Sequence, residues 1–230
     1  AYQSAWPDKG WMAAGPKHNQ PDTTRLYLTF NEGIVWSDDL GKSWSPLTSL
    51  GVGYGFLPRV GPKGQLYLTY WDGYWGIMFR RSLDNGVTWS APRQVATRLA
   101  AWGVVNYGIP GTFRNFTNNS MAIDPETGAI VIVYFDQTNV VAGQKNLDIY
   151  LVRSTDGGAT WSDPTRLPFR PIAQVSDMIF PWVESTSDGR LHLTAMDTSF
   201  NLGQTDGNAH GLWDQTYYYS DDAGKTWSSR

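Results

Sequence analysis

The chain has 230 residues, no cysteine, and a formal net charge of -3 from 18 Lys and Arg against 21 Asp and Glu. This balance excludes disulfides, thiol catalysis and Cys-ligated metals and leaves no basic footprint for nucleic acid, while no apolar run approaches the roughly 20 residues that span a bilayer. Twelve Trp, twelve Tyr, nine Phe, 24 Gly and 13 Pro predict strands and turns instead, because flat rings suit a pleated surface and Gly and Pro suit tight connections.

In chain order, the first predicted strands are GWMAAG (10–15), RLYLTF from Arg25 and GIVWS (33–37), which runs into SDDLGKSWS from Ser37. The same order returns as FLPRVG from Phe56, QLYLTY from Gln65, GIMFRRS from Gly76 and SLDNGVTWS from Ser82, then SAPRQV. A third round is SMAID from Ser120, AIVIVYF from Ala129, DIYLVRS from Asp148 and STDGGATWS from Ser154, then SDPTRL. The fourth is IFPWVES from Ile179, RLHLTAM from Arg190, TYYYS from Thr216 and SDDAGKTWS from Ser220.

Each round closes on Ser-x-Asp-x-Gly-x-Ser/Thr-Trp-Ser, a spacing that makes a hairpin corner. Asp and Ser oxygens accept backbone N–H bonds, Gly takes a positive φ, and Trp returns to the sheet. Four antiparallel strands per unit, labelled A to D from the axis outward, predict an all-β fold, a β-propeller whose blades bury their faces against one another. The expected blades are about 8–48, 54–96, 118–168 and 177–230 of one domain, with the last lacking its outer strand. Either residues before Trp11 close a four-bladed ring or the units belong to a longer one; the longer ring is expected.

The corner motif resembles the Asp-box, or BNR repeat, of sialidase-like β-propellers. The resemblance implies that Asp39, Trp44, Asp84, Trp89, Asp156, Trp161, Asp222 and Trp227 are structural and sit on C–D turns away from an active site. No corner carries the later bidentate Glu of a calcium loop, and neither a metal nor a cofactor is expected.

Alternating strand direction puts A–B and C–D turns on one end and B–C and D–A connections on the other. The long insertions all fall on the second end, the usual binding side of a repeat protein. They carry Tyr54, Trp71, Tyr74, Trp75, Trp102, Tyr107 and Trp213 among Gly, Asn and Asp. That mixture suits a glycan, whose C–H faces stack on rings while its hydroxyls bond amides and carboxylates; the same rings also suit loop packing.

A sialidase, by the same resemblance, holds its substrate's carboxylate with three arginines, uses an Asp as general acid, and attacks with a Tyr assisted by a Glu. Arg59, Arg114 and Arg170 are the candidate arginines, with Arg98 nearby, and Glu32 and Glu184 are the candidate partners for a Tyr. Glu126 falls in an A–B turn on the corner end. The family's Phe/Tyr-Arg-Ile-Pro signature is absent, since FLPRV (56–60) and FRPI (169–172) hold similar letters in another order.

The B strands end in Asp72, Asp136 and Asp197, with Asn31 as the expected equivalent in the first unit. A residue repeated so often suits loop anchoring; Asp72, flanked by aromatics, is the one proposed as a catalytic acid. His210 is the histidine expected on the loop end, where a polysaccharide lyase would need a base. Sequons at Asn115 and Asn118 matter only in a secreted eukaryotic protein. The expected function is a sialidase-like glycoside hydrolase or a degenerate relative acting on extracellular glycans, secreted, periplasmic or at a cell surface. The alternatives are a non-catalytic glycan- or protein-binding propeller and a polysaccharide lyase.

Overall fold

The structure is a computed structural model that describes residues 9–99, 103–105, 113–115, 119–141, 144–169, 176–199 and 212–229. No helix in that set is long and apolar enough to cross a membrane. The strands are β1 (Trp11–Lys17), β2 (Gln20–Phe30), β3 (Gly33–Ser37), β4 (Tyr54–Val60), β5 (Leu66–Trp71), β6 (Gly76–Ser82), β7 (Arg93–Thr97), β8 (Gly103–Val105) and β9 (Phe113–Asn115). They continue as β10 (Ser120–Ile123), β11 (Ile130–Val141), β12 (Gln144–Ser154), β13 (Thr165–Arg166), β14 (Met178–Ser185), β15 (Leu191–Asp197), β16 (Asp214–Ser220) and β17 (Ser228–Ser229).

They form four antiparallel sheets in sequence order, β1-β2-β3, β4-β5-β6-β7, β10-β11-β12-β13 and β14-β15-β16-β17. This is the expected β-propeller. Four details differ from the sequence reading. The fourth sheet does carry an outer strand, β17, which pairs with Tyr218 and Tyr219. In the first sheet the outer strand shrinks to a single bridge, with Ile34 and Thr48 exchanging N–H···O bonds of 2.9 Å, next to Pro46, which has no N–H to give. The stretch 135–146, expected as a loop, extends the β11–β12 hairpin through Val140 and Val141, in keeping with their β-branching. Within the expected 98–118 loop, β8 pairs with β9.

The four corners share one geometry. Ser37, Ser82, Ser154 and Ser220 donate to Asp39, Asp84, Asp156 and Asp222 at 2.7–2.8 Å. Each Ser Oγ in turn accepts the amide of Gly41, Gly86, Gly158 or Gly224 at 2.8–2.9 Å. The other carboxylate oxygen takes the hydroxyl of Ser43, Thr88, Thr160 or Thr226. These bonds hold two consecutive left-handed residues, such as Leu40 (φ 60°) with Gly41 (φ 87°) and Ala223 (φ 55°) with Gly224 (φ 84°). The non-glycine member costs about 1 kcal/mol.

The corners also weld sheets together. A Cβ on Gly158 would lie 2.1 Å from the Phe79 ring of the preceding sheet, against which Trp161 also packs edge-on at 4.9 Å. Gly86 faces Tyr27, and Gly224 faces Leu151 and Val131 in the same manner. Arg25 donates to the Asn85 carbonyl at 3.1 Å and Arg81 to that of Gly157 at 2.9 Å, again from the preceding sheet. Gly41, by contrast, meets only Trp44 and Leu26 of its own sheet. At the other extreme, β15 alternates between buried Leu191, Leu193 and Ala195, which pack on the third sheet, and half-exposed His192, Thr194 and Met196. Among the described residues, the first and fourth sheets thus each keep one face that packs on no other sheet.

Two predictions follow from this geometry. Gly158→Ala combines a strained φ with a clash on Phe79 and should lose about 2–4 kcal/mol, against about 1 kcal/mol for Gly41→Ala, which meets only strain; thermal unfolding of the two variants measures the difference. The second concerns pH. Arg25 holds Asp38 down from the ordinary 3.8 to about 2. The Ser43 hydroxyl and amide hold Asp39 at about 2. At Asp222 desolvation pushes upward but is outweighed by bonds from Thr226 and Ser220, leaving about 2. These folded values lie below those of an unfolded chain, so their stabilisation is full above about pH 4 and fades as pH falls through about 2. The urea midpoint should be steady above that window and drop within it, more shallowly in the Asp39→Asn, Asp222→Asn double variant.

Candidate functional site

The corner bonds and the A–B turns meet at one end of the propeller, where His18 of the first A–B turn donates its amide to Asn85 Oδ1 of the second corner at 2.6 Å. The opposite, loop end carries the candidate site. Its best-defined part is the β5–β6 turn. Asp72 Oδ1 accepts the amides of Tyr74 at 2.8 Å and Gly76 at 3.0 Å, and the Trp71 indole N–H donates to the Tyr74 carbonyl at 3.1 Å. Gly73 sits at φ 92°, a conformation that favours glycine, with the Tyr54 ring 3.0 Å from where a Cβ would stand. Tyr54 in turn packs on Trp71, centroids 5.5 Å apart. This framework fixes a short turn that presents Tyr74 (75% exposed), Trp75 (53%) and Tyr54 (48%) to solvent. Trp71, predicted to touch ligand, is buried and supports the turn from beneath.

Behind that turn lies a buried polar set. The Arg98 amide donates to the Trp75 carbonyl at 2.7 Å, and its Nε donates to the Phe135 carbonyl at 3.0 Å, with the guanidinium over the Phe135 ring. The next amide, Leu99, reaches both Asp136 oxygens at 2.8 Å. Asp136 stands opposite Asp148 in the β11–β12 ladder, and Arg166 grips Asp148 with bonds of 2.9 and 3.1 Å. In the neighbouring sheet Asp177 accepts the Leu147 amide at 2.7 Å, and Asp197 accepts the Ser199 amide at 2.7 Å. All four carboxylates are buried, a position that ionised groups hold only when bonded or paired. Their bonds fix the roots of the loop-end connections, the role favoured from sequence for Asp136 and Asp197. Asp148, Asp177 and Arg166 were missed; counting residues across the β11–β12 hairpin would have found Asp148.

The register corrects one equivalence. Leu26, Leu66, Ile130 and Leu191 all pair with a corner serine. Counting from them, the first-sheet counterpart of Asp72, Asp136 and Asp197 is Glu32, not Asn31. Asn31 instead accepts the Gly55 amide at 3.3 Å.

Glu184 and Arg59 are also relocated. Glu184 pairs with His192 and Arg59 with Tyr67, one residue from the corner-level leucines, so both lie at the corner end of their inner strands. That is about 17 Å along the strand from the level of Asp72. There Arg59 meets Glu184 at 2.5 Å, the Trp182 indole donates to the same carboxylate at 3.0 Å, and Trp11 stacks on Trp182. Asp72 and Glu184 are not brought together. The buried phenols are unsuited to nucleophilic attack: burial pushes Tyr27 up to about 12 and also raises Tyr67, Tyr70 and Tyr134. Trp102, Tyr107, Arg170 and His210 lie outside the described residues, and Arg114 is described only by its β9 main-chain pairing with Val104.

A propeller with recurrent corners at one end and rooted loops at the other defines the class, and the chain belongs to the BNR repeat-like domain family, whose model matches residues 77–230. Among its relatives, a xyloglucanase of Paenibacillus sp. is 27% identical over 226 residues. That match takes in 90% of this chain but 19% of the xyloglucanase, so the chain spans a small part of that relative. The α-L-arabinanase of Penicillium chrysogenum, solved with arabinobiose, superposes with a TM-score of 0.59 at 18% identity, covering 99% of this chain and 68% of its own. The NanB sialidase of Streptococcus pneumoniae superposes at 0.51 with 14% identity, over 92% of this chain and 28% of its own. At these identities the two structures share the fold.

Replacing Asp136 by Ala would leave the Leu99 and Gln137 amides without their acceptor. The expected result is a loss of about 2–4 kcal/mol, with hydrogen exchange at Leu99 accelerating more than at Gly158 in the distant corner.

Proposed function

We propose that this chain is a glycan-acting propeller of the glycoside hydrolase type, with ligand bound at the loop end. The observation that carries this reading is the braced β5–β6 turn, which holds Tyr74 and Trp75 exposed beside the Asp72 carboxylate. The named activities of the relatives, a xyloglucanase, an arabinanase and a sialidase, support it. Asp72, with Glu32 at the same register level, is the carboxylate assigned to acid–base chemistry; Arg114, Arg170, Trp102 and His210 remain assigned to substrate binding. The extracellular medium is the proposed setting.

The sialidase version of this chemistry has less support. Arg59 is engaged with Glu184 at the corner end, and the buried phenols are pushed away from, not toward, the ionised form. A non-catalytic glycan-binding role is favoured by a different observation, namely that Asp72 already spends one oxygen on two turn amides. The four sheets are taken as consecutive blades of one propeller domain, and the outward faces of the first and fourth as seats for further blades.

The deciding measurement is turnover of a panel of aryl glycosides and polysaccharides alongside binding to the same glycans. Hydrolysis that falls at least about 100-fold in Asp72→Asn, with binding retained, is the expected outcome. Binding with no turnover of any substrate would leave the non-catalytic role, and neither binding nor turnover would overturn the glycan reading.

A further inference from the structure

We propose that the groove between the third and fourth corners is a second binding site, separate from the loop end, for an oligosaccharide that carries a carboxylate or sulfate. Arg153 of β12, Thr165 of β13, Lys225 and the corner tryptophans Trp161 and Trp227 are among the residues that line it, around a space of about 570 Å³.

The groove exists because two side chains shrink from one sheet to the next. Phe79 and Leu151 hold the same place in the second and third sheets, three residues beyond the corner-level pair, and their outer-strand partners are Arg93 and Thr165. Between the second and third sheets the Phe79 ring lies against Gly158, while Arg93 and Arg81 donate to the Ala159 and Gly157 carbonyls of the third corner. That interface is bridged. Between the third and fourth sheets Leu151 is smaller than Phe79, and Thr165 is far shorter than Arg93.

Arg153 is the group this change leaves without a partner. It stands opposite Val131 as Arg81 stands opposite Tyr67, yet its Nε is buried with no hydrogen-bond partner, and its guanidinium forms no ion pair among the described residues. A buried cationic donor left unpaired costs free energy, which an acceptor entering from outside recovers. The exposed Lys225 ammonium forms no ion pair among the described residues either.

The rings are fixed beforehand. Trp161 and Trp227 donate their indole N–H to the Gly158 and Gly224 carbonyls of their own corners at 3.2 Å, and both remain half-buried. Rings held in this way lose little freedom when the C–H face of a sugar stacks on them. No carboxylate lines the groove. An adjoining hollow of about 450 Å³, which shares Arg153 and Lys225, does hold Asp124, Glu126, Asp188, Asp221 and Asp222. Those acids repel an anion and so confine its charged group to the tryptophan side of Arg153.

Calorimetry with trigalacturonate, cellotriose and sodium sulfate, on the wild type and on Arg153→Ala, Lys225→Ala and Thr165→Arg, tests this. Trigalacturonate should bind more weakly as salt rises, and about tenfold or more tightly than cellotriose or sulfate alone. Arg153→Ala and Thr165→Arg should each weaken it about tenfold, the second because a long cationic side chain there reinstates toward the fourth corner the bridge that Arg93 makes to the third. Lys225→Ala should weaken it about threefold. Thr165 and Lys225 are exposed, so those two variants should keep the circular dichroism of the wild type even if Arg153→Ala does not. Sulfate or cellotriose binding as tightly as trigalacturonate would overturn the assignment of an acidic saccharide. Trigalacturonate binding that is absent, or unchanged in Thr165→Arg and Lys225→Ala, would overturn the site itself. Neither result touches the loop-end reading, which stands on the β5–β6 turn.

Discussion

The structure depends on a compact polar knot. In each corner a serine hydroxyl and an aspartate carboxylate satisfy the amides of a chain forced through two left-handed residues. Without those bonds the reversal would be strained and its amides unpaired. The bare glycine at its tip then approaches the neighbouring sheet closely enough to touch Phe79, Tyr27 or Leu151. A local turn motif thereby sets the distance between sheets, and the aromatic and aliphatic clusters between them fill the space it defines. The sequence repeats because the same spacer is needed at every interface.

Fixing one end of the sheets leaves the other free to diversify. At the loop end the hairpins range from the two-residue Asn31–Glu32 turn to the extended β11–β12 pair. What recurs is a carboxylate at the end of the second strand of the second, third and fourth sheets, used to root main chain: Asp72 within its own turn, Asp136 on Leu99, Asp197 on Ser199. An acid so placed lets connections of very different length leave the sheet from a fixed point. The β5–β6 turn shows what such rooting can present, since its bonds all point inward and its rings outward.

Much of this was legible in the residues. The four corners, the strand order within each sheet and the separation of corners from long connections follow from spacing and strand alternation alone. Strand ends were harder. β17 was missed because two residues after Trp227 give no periodicity, and Val140 and Val141 were read as loop because Gly and Asn surround them. Asn31 was mistaken for the counterpart of Asp72 because the first hairpin is tighter than the second, and only pairing reveals the one-residue offset. Trp71 looked like a ligand contact since its neighbours are; alternation along a fully buried strand does not say which ring faces water. Glu184 could have been placed correctly, because it lies just before the A–B turn that precedes Arg190.

The ion pair between Arg59 and Glu184 joins residues 125 apart, from the second and fourth sheets. Its two counterparts at the same level are Ala13 and Ala122, so nothing bulky separates the partners. Such a distant contact carries a large loop-closure cost and can form only after the intervening sheets are in place. It belongs among the last interactions made during folding, and by the same logic among the first broken, which makes it a brake on the rate of unfolding and not on the rate of folding.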